Sequence, residues 1–134
     1  MDLCVCGSIK IKDKDWIFNK IDDFVSTLEK SEKITIIEGA AKGVDFYAEE
    51  WAKEHNCELV LFPPDYEKYG KSACSVRNEG MVKLTDFILI LWNGSSYGTF
   101  EDICLCENII VRIKFVTMEH NLRETNILSW QWKN

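Results

Sequence analysis

The sequence predicts an α/β protein with a Rossmann-like, doubly wound, mainly parallel five-stranded sheet and helices on both faces. Three observations lead to this prediction: short apolar runs recur along the chain, most of them end at turn-forming residues, and segments with helical spacing separate them. Because this alternation builds strand–helix–strand units with right-handed crossovers, we expect the strand order 3-2-1-4-5.

Five apolar runs are the predicted strands. Continuous runs of this kind are typical of parallel strands that are buried on both faces of a sheet. The runs are LCVC at 3–6, ITII at 34–37, LVLF at 59–62, FILILW at 87–92 and IIVRIKFV at 109–116.

Helices are predicted between these strands. The first follows Asp13 or Asp15, either of which can cap it, and Asp45 opens the second. Weaker periodicity predicts two more helices, at 74–84 and 99–107. In the first two helices the apolar residues at helical spacing are Ile17, Ile21, Phe24, Val25 and Leu28, followed by Val44, Tyr47, Ala48, Trp51 and Ala52.

Size and charge limit the partners. A chain of 134 residues with 46% hydrophobic content forms one domain, which buries roughly two-thirds of its unfolded surface. The net charge of -6 and the pI of about 4.9 leave no basic surface of the kind that binds nucleic acids. Composition therefore argues against a nucleic-acid partner and favours a small molecule or a protein.

The sequence also bears on compartment and metals. No apolar run approaches the roughly 18 residues of a membrane span, and the first residues do not form a signal-peptide pattern, so we expect a cytoplasmic protein without a membrane partner. The six cysteines are expected to be reduced packing residues. Because no Cys-x-x-Cys pair occurs and only two histidines are available, no metal site is predicted.

The predicted strand order places a crevice where strands 1 and 4 become neighbours. Ligands of open α/β sheets bind at such a reversal point, beyond the carboxyl ends of the strands. The loops after strands 1, 2 and 4 face this crevice, and they hold most of the glycines: GS at 7–8, EGAAKGVD at 38–45 and NGSSYGTFED at 93–102.

The small residues of the second loop have two interpretations. Glycine and alanine before a helix allow an anion such as phosphate to approach unpaired backbone N–H groups. A tight strand-to-helix turn also needs glycine for its backbone angles alone. The loop by itself does not decide between them, and NGSSYGT at 93–99 has the same ambiguity.

Four segments, in order and at similar spacing, resemble the small stand-alone SLOG proteins, the YspA-like or YAcAr branch of the Smf/DprA and LOG superfamily. The segments are EGAAKGVDFYAEEWA, FPPDY, YGKSACSVRN and WNGSSYGT, and the resemblance spans about residues 3–116. It implies a Rossmann-like fold that recognises a nucleotide or a nucleotide-derived molecule, bound by a sensor or sequestering module. No cofactor is implied.

Two departures from the family pattern concern phosphate. The chain has Ile9 where the family commonly has arginine, and Glu38 where the second loop has its first glycine. These changes remove affinity for a multiply charged phosphate, or they direct Glu38 toward a ribose hydroxyl. The family's other loop residues are retained, although Asp45 also has a purely structural role open to it at the start of a helix.

The resemblance and the predicted crevice together give the candidate ligand-binding residues. Tyr69 is expected to stack on a base or ribose, or to pack its own loop onto the domain; Arg77 is expected to bind phosphate, or to form a surface ion pair. The full set is Gly7, Ser8, Glu38, Gly39, Ala40, Lys42, Gly43, Asp45, Tyr69, Lys71, Arg77, Asn78, Asn93, Gly94, Ser95, Ser96, Gly98 and Thr99.

The alternative function is an enzyme that cleaves the N-glycosidic bond of a nucleotide. RNEGM at 77–81 and YGTFED at 97–102 resemble segments of the LOG phosphoribohydrolases, which would give Arg77 the catalytic arginine's place and Glu101 or Asp102 the acid's. A carboxylate can stabilise the oxocarbenium-like state of such a cleavage. Carboxylates in the first turn of a helix are common for capping alone, so the sequence leaves both functions open.

The C-terminal tail, residues 117–134, lies beyond the SLOG-like domain at 1–116. It is too apolar for a free end, so we expect it to pack on the domain or at a dimer interface, which leaves a homo-oligomer open. The apolar residues concerned are Ile127, Leu128, Trp130 and Trp132.

Overall fold

A computed structural model of the chain describes residues 1–93, 112–118 and 124–131. It confirms the α/β class, and no helix in those ranges is long and apolar enough to cross a membrane. The elements are β1 (Asp2–Gly7), α1 (Lys14–Val25), β2 (Thr35–Glu38), α2 (Val44–Glu54), β3 (Glu58–Leu61), α3 (Tyr66–Tyr69), a 3-10 turn (Gly70–Ser72), α4 (Ala73–Leu84), β4 (Phe87–Trp92), β5 (Arg112–Met118) and β6 (Glu124–Gln131).

One sheet joins all of these strands, in the order β3-β2-β1-β4-β5-β6. The pairs from β3 to β5 are parallel, whereas β6 is antiparallel to β5. The prediction of five strands is therefore wrong: the described residues form six, because residues 124–131 of the tail pair with β5. The tail is rich in residues that favour strands, and pairing covers an edge of β5 that would otherwise be open.

Successive side chains of the central strands point to opposite faces of the sheet, and this divides the core into two layers. Leu3 and Val5 of β1 belong to the layer that packs against α1 and α2, and Cys4 and Cys6 belong to the layer that packs against α4. In β4, residues 87–91 are buried throughout and alternate in the same way. For these two strands the continuous apolar run correctly indicates burial on both faces.

β3 is an exception to that interpretation. Among the described residues it pairs only with β2 and forms one edge of the sheet. Val60 and Leu61 are 40% and 44% exposed, so the apolar run at 59–62 is not a strand buried on both faces. An apolar run alone does not distinguish a central strand from an edge strand, because the difference lies in what the rest of the sheet covers.

The helices begin where short polar or glycine residues precede them. Asp13, not Asp15, caps α1: its carboxylate accepts the backbone N–H of Trp16 at 3.1 Å. α2 begins after Gly43 and has no side-chain cap. The two helices are joined by the buried Trp51, whose indole N–H donates to Asp22 at 2.9 Å.

A threonine ties β1 to the start of β4. The hydroxyl oxygen of Thr85 accepts the backbone N–H of Cys4 at 3.0 Å, and the carbonyl oxygens of Asp2 and Phe87 each lie 2.8 Å from it. We expect Thr85→Val to lower the free energy of unfolding by about 1–3 kcal/mol, because it leaves a part-buried N–H without an acceptor. Urea denaturation measures this. Thr27→Val, an exposed control, is expected to stay within about 0.5 kcal/mol, and equal losses in the two variants would contradict the role assigned to Thr85.

Candidate functional site

The candidate site lies at the carboxyl ends of β1, β2 and β4. Ser8, which is fully buried, connects two of their loops: its N–H donates to Leu91 at 3.0 Å, and its hydroxyl oxygen accepts the N–H of Asn93 at 3.0 Å. Its carbonyl oxygen accepts the N–H of Val44 at 3.4 Å, at the start of α2. The loops after β1 and β4 and the first turn of α2 therefore share one contact point.

Two glycines allow this close approach. A Cβ atom at Gly7 would overlap the carbonyl oxygen of Leu91, so the backbones of β1 and β4 meet where no side chain fits. Gly43 has φ 70° and ψ -123°, and a Cβ there would lie 2.5 Å from the carbonyl oxygen of Ser8. Both positions require glycine for reasons independent of any ligand.

The backbone N–H groups of the β2–α2 loop are bonded to the chain's own carboxylates. Asp45 Oδ2 accepts the N–H groups of Gly39 at 3.2 Å and of Ala41 at 3.3 Å. Glu38 Oε2 accepts the N–H of Ala40 at 2.6 Å. One of the two sequence interpretations placed an anion such as phosphate at these groups; the structure places two carboxylates there.

Burial raises the pKa of both carboxyl groups. Glu38 is fully buried, and burial is the main reason that its pKa is raised to about 7; the N–H of Ala40 opposes the shift, and the charges of Asp45 and Glu49 add to it. Burial likewise raises the pKa of Asp45 to about 6. The second oxygen of Glu38, Oε1, is buried and has no hydrogen-bond partner among the residues the structure describes.

Arg77 reaches this loop from α4, on the opposite face of the sheet. Its Nη1 donates to the carbonyl oxygen of Gly39, and its Nε donates to the buried Asn78 at 2.6 Å. A Cβ at Gly39 would lie 2.5 Å from Nη1, so a larger residue there would displace the end of the arginine side chain. Within the described ranges Nη2 makes no hydrogen bond, so the guanidinium holds the loop with part of its donor set and keeps the rest available.

The remaining described candidates are exposed, and Ala40 takes part in the network through its backbone N–H alone. Lys42 and Lys71 are exposed, and Ala40 is exposed with φ 60°. Tyr69 ends the short helix α3 and is 38% exposed, with the ammonium group of Lys68 located 5.1 Å from its ring centre. No hydrogen bond or ion pair of the described part of the chain joins these four residues to Ser8 or Arg77.

Seven predicted residues lie outside the described residues, as does the predicted helix at 99–107. They are Gly94, Ser95, Ser96, Gly98, Thr99, Glu101 and Asp102. Glu101 and Asp102, the acids that the resemblance to the phosphoribohydrolases implies, are among them.

The first half of the chain matches the sequence model of a known protein family. The model of the YAcAr family, described as the YspA, cpYpsA-related SLOG family, matches residues 1–69, slightly more than half of the chain. The chain belongs to the SLOG family. The match runs from β1 to α3, so this SLOG protein carries Ser8 and the β2–α2 loop within the matched range, whereas Arg77 and Asn93 lie beyond it. Comparisons with curated proteins and with solved structures found no significant match.

The sequence did not reveal which groups accept the backbone N–H groups of the β2–α2 loop. The signal was present as two acidic residues, 38 and 45, that flank a run of glycine, alanine and lysine. Each could be interpreted separately, but only the fold brings both carboxylates onto three successive N–H groups. Leu91 accepts the N–H of Ser8 with its carbonyl oxygen. The sequence gave no signal for this role, because the contact uses a backbone atom and not a side chain.

A cavity of about 430 Å³ lies at the opposite ends of the strands, around the amino ends of β2 and β3. It is away from the candidate site and is lined by Glu32, Lys33, Ile34, Thr35, His55, Asn56, Cys57 and Glu58. Its side chains do not form a metal centre: the described ranges contain no group of three or more histidine, cysteine or acidic residues that could hold an ion.

Proposed function

We propose that this SLOG protein binds a nucleotide or a nucleotide-derived molecule at the edge where β1, β2 and β4 end, and that it acts as a sensor or sequestering module. The proposal assumes a Rossmann-like, doubly wound sheet, in which a crevice opens between β1 and β4, where the strand order reverses. The observation that carries it is the convergence on Ser8 of the loops after β1 and β4 and of the first turn of α2. Ser8 and that turn lie in the segment that the family model matches.

Arg77 is the residue we assign to the ligand's phosphate. Arg77 is half-buried, and its hydrogen bonds to Gly39 and Asn78 fix the plane of the guanidinium. A fixed, planar guanidinium with donors to spare is well suited to bidentate binding of phosphate oxygens. The arginine would thus bind the ligand and hold the β2–α2 loop at the same time.

One observation favours the alternative, hydrolysis of an N-glycosidic bond. Burial raises the pKa of Glu38 to about 7, and a carboxyl group that is partly protonated near neutral pH can act as a general acid. Under this alternative Arg77 stabilises the negative charge of the substrate while an acid protonates the leaving base. The two functions differ in what happens to a bound nucleotide with time.

Mass spectrometry of small molecules released from denatured protein tests both functions. We expect an intact nucleotide, which remains intact after hours of incubation with fresh protein. Arg77→Ala should weaken its binding by about 10- to 100-fold, the effect of losing one charge-assisted hydrogen-bonding group. Lys83→Ala is the matched control, because Lys83 lies on the same helix, is exposed and pairs with Glu79.

Two results would overturn the proposal. A free base that accumulates with ribose phosphate, and fails to do so in Arg77→Ala, would establish the hydrolase. Absence of any retained nucleotide, together with no binding of added nucleotides, would remove the nucleotide from the proposal. Because Arg77→Ala also loosens the loop, Arg77→Lys serves as a second variant: it keeps the charge and loses the bidentate geometry.

A further inference from the structure

The β2–α2 loop has the backbone of an anion site, but its donors are already taken. Gly39, Ala40 and Ala41 supply three successive N–H groups, and each donates to a carboxylate of the chain, at distances between 2.6 and 3.3 Å. A phosphate at this position would have to displace Glu38 and Asp45 from them. No other described hydrogen bond uses these two carboxylates, so both are committed to the loop.

The loop also has one acceptor to spare. Glu38 is fully buried at the end of β2, and its Oε1 has no hydrogen-bond partner in the part of the chain that the structure describes. The stretch that contacts its carboxyl group contains only glycine and alanine, so no long side chain of residues 39–41 competes for Oε1. A buried polar atom of this kind is an unmet requirement for a hydrogen bond.

We infer that Glu38 sets the ligand preference of this loop: it excludes phosphate and selects a neutral hydroxyl group, such as a sugar hydroxyl, that can share a hydrogen bond with Oε1. This inference rests on the proposed function and specifies which part of the nucleotide-like ligand faces β2. The phosphate would then lie toward Arg77, and the sugar toward Glu38.

Charge and hydrogen-bonding capacity both support the assignment. Two buried carboxylates flank the three N–H groups, and their burial strengthens the repulsion of a further negative charge beside them. A hydroxyl group carries no charge and can both donate and accept. It can therefore donate to Oε1 when Glu38 is ionised and accept from it when Glu38 is protonated.

Titration of the ¹⁵N-labelled protein with inorganic phosphate tests the exclusion. We expect the amide resonances of Gly39, Ala40 and Ala41 to be unchanged in the wild type and to shift saturably in Glu38→Gly, which vacates the N–H of Ala40 and removes one charge. Binding at the loop should be at least about 10-fold tighter in that variant. Saturable shifts of equal affinity in the wild type would overturn the inference.

Two further variants keep this test interpretable. If Glu38→Gly does not fold, Glu38→Gln retains the shape and the bond to Ala40 while removing the charge, and should still gain phosphate affinity. Glu67→Gln removes an exposed charge on α3 and should gain none. Phosphate shifts that are the same in Glu38→Gln and Glu67→Gln would contradict a specific role for Glu38.

The selection of a hydroxyl is tested with adenosine, guanosine, cytidine and uridine, each beside its 2′,3′-dideoxy analogue. We expect at least one ribonucleoside to bind about 10-fold more tightly than its analogue, with a shift at Ala40 that Glu38→Leu abolishes. Equal affinities in every pair would overturn this half of the inference. A nucleotide that shifts Ser8 and Arg77 but not Ala40 would leave the proposed function standing and refute the role of Glu38; no binding at all would refute the proposed function.

Discussion

Gly43→Ala is expected to lower the free energy of unfolding by about 4 kcal/mol. Two costs add. At φ 70° and ψ -123° the backbone is in a region that only glycine adopts readily, which costs about 1–3 kcal/mol for alanine. The new Cβ would also lie 2.5 Å from the carbonyl oxygen of Ser8 and 2.7 Å from the backbone of Ile9, and overpacking of this kind costs about 1–3 kcal/mol more.

Gly70→Ala separates these two costs. Gly70 has nearly the same backbone angles, φ 53° and ψ -124°, but a Cβ there meets no atom within 4 Å. It should therefore show the backbone cost alone, and its loss should be about half that of Gly43→Ala. Urea denaturation of both variants measures the difference. Equal losses would mean that the backbones of the first loop and of α2 are not in close contact.

The stability of the protein is expected to fall as the pH rises from about 5 to 8, by up to about 3 kcal/mol from Glu38 alone. The pKa of Glu38 rises from 4.5 in the unfolded chain to about 7 in the folded one, so the folded state binds this proton more tightly. The contribution is complete below pH 4.5 and is lost as the pH passes 7. Asp45, with a pKa raised to about 6, acts in the same direction.

Chemical denaturation at several pH values, compared between the wild type and two variants, measures this dependence. Glu38→Gln should flatten the slope between about pH 5 and 8, because its amide does not titrate. Glu67→Gln changes the net charge equally at an exposed position and should keep the wild-type slope. A slope that Glu38→Gln leaves unchanged would show that Glu38 is not the titrating group.

Local patterns predicted the elements whose determinants lie close in sequence. The run at 87–92 coincides with β4, and the helix predicted at 74–84 occurs as α4, one residue longer. Asp13 and Asp15 could not be ranked as caps, because both are carboxylates one turn before apolar residues. The choice of Asp13 depends on the direction in which the chain enters α1.

Features that depend on distant partners were not predictable in this way. β3 has the composition of a central strand and is an edge strand, and β6 pairs with β5 although the tail carried no strand prediction. The occupation of the loop by Glu38 and Asp45 is of the same kind. In each case the deciding quantity is a contact made in the folded sheet.

The central position of β1 determines when the site can form during synthesis. β1 is made first, and its partner β2 follows soon after, but its other neighbour, β4, begins only at Phe87. The contact between Ser8 and Asn93 spans 85 residues. A nascent chain that has reached the end of the family match therefore presents an unpaired edge of β1, the kind of edge on which chains pair wrongly with one another. The pairing of β1 is completed late, by the arrival of a single strand, β4.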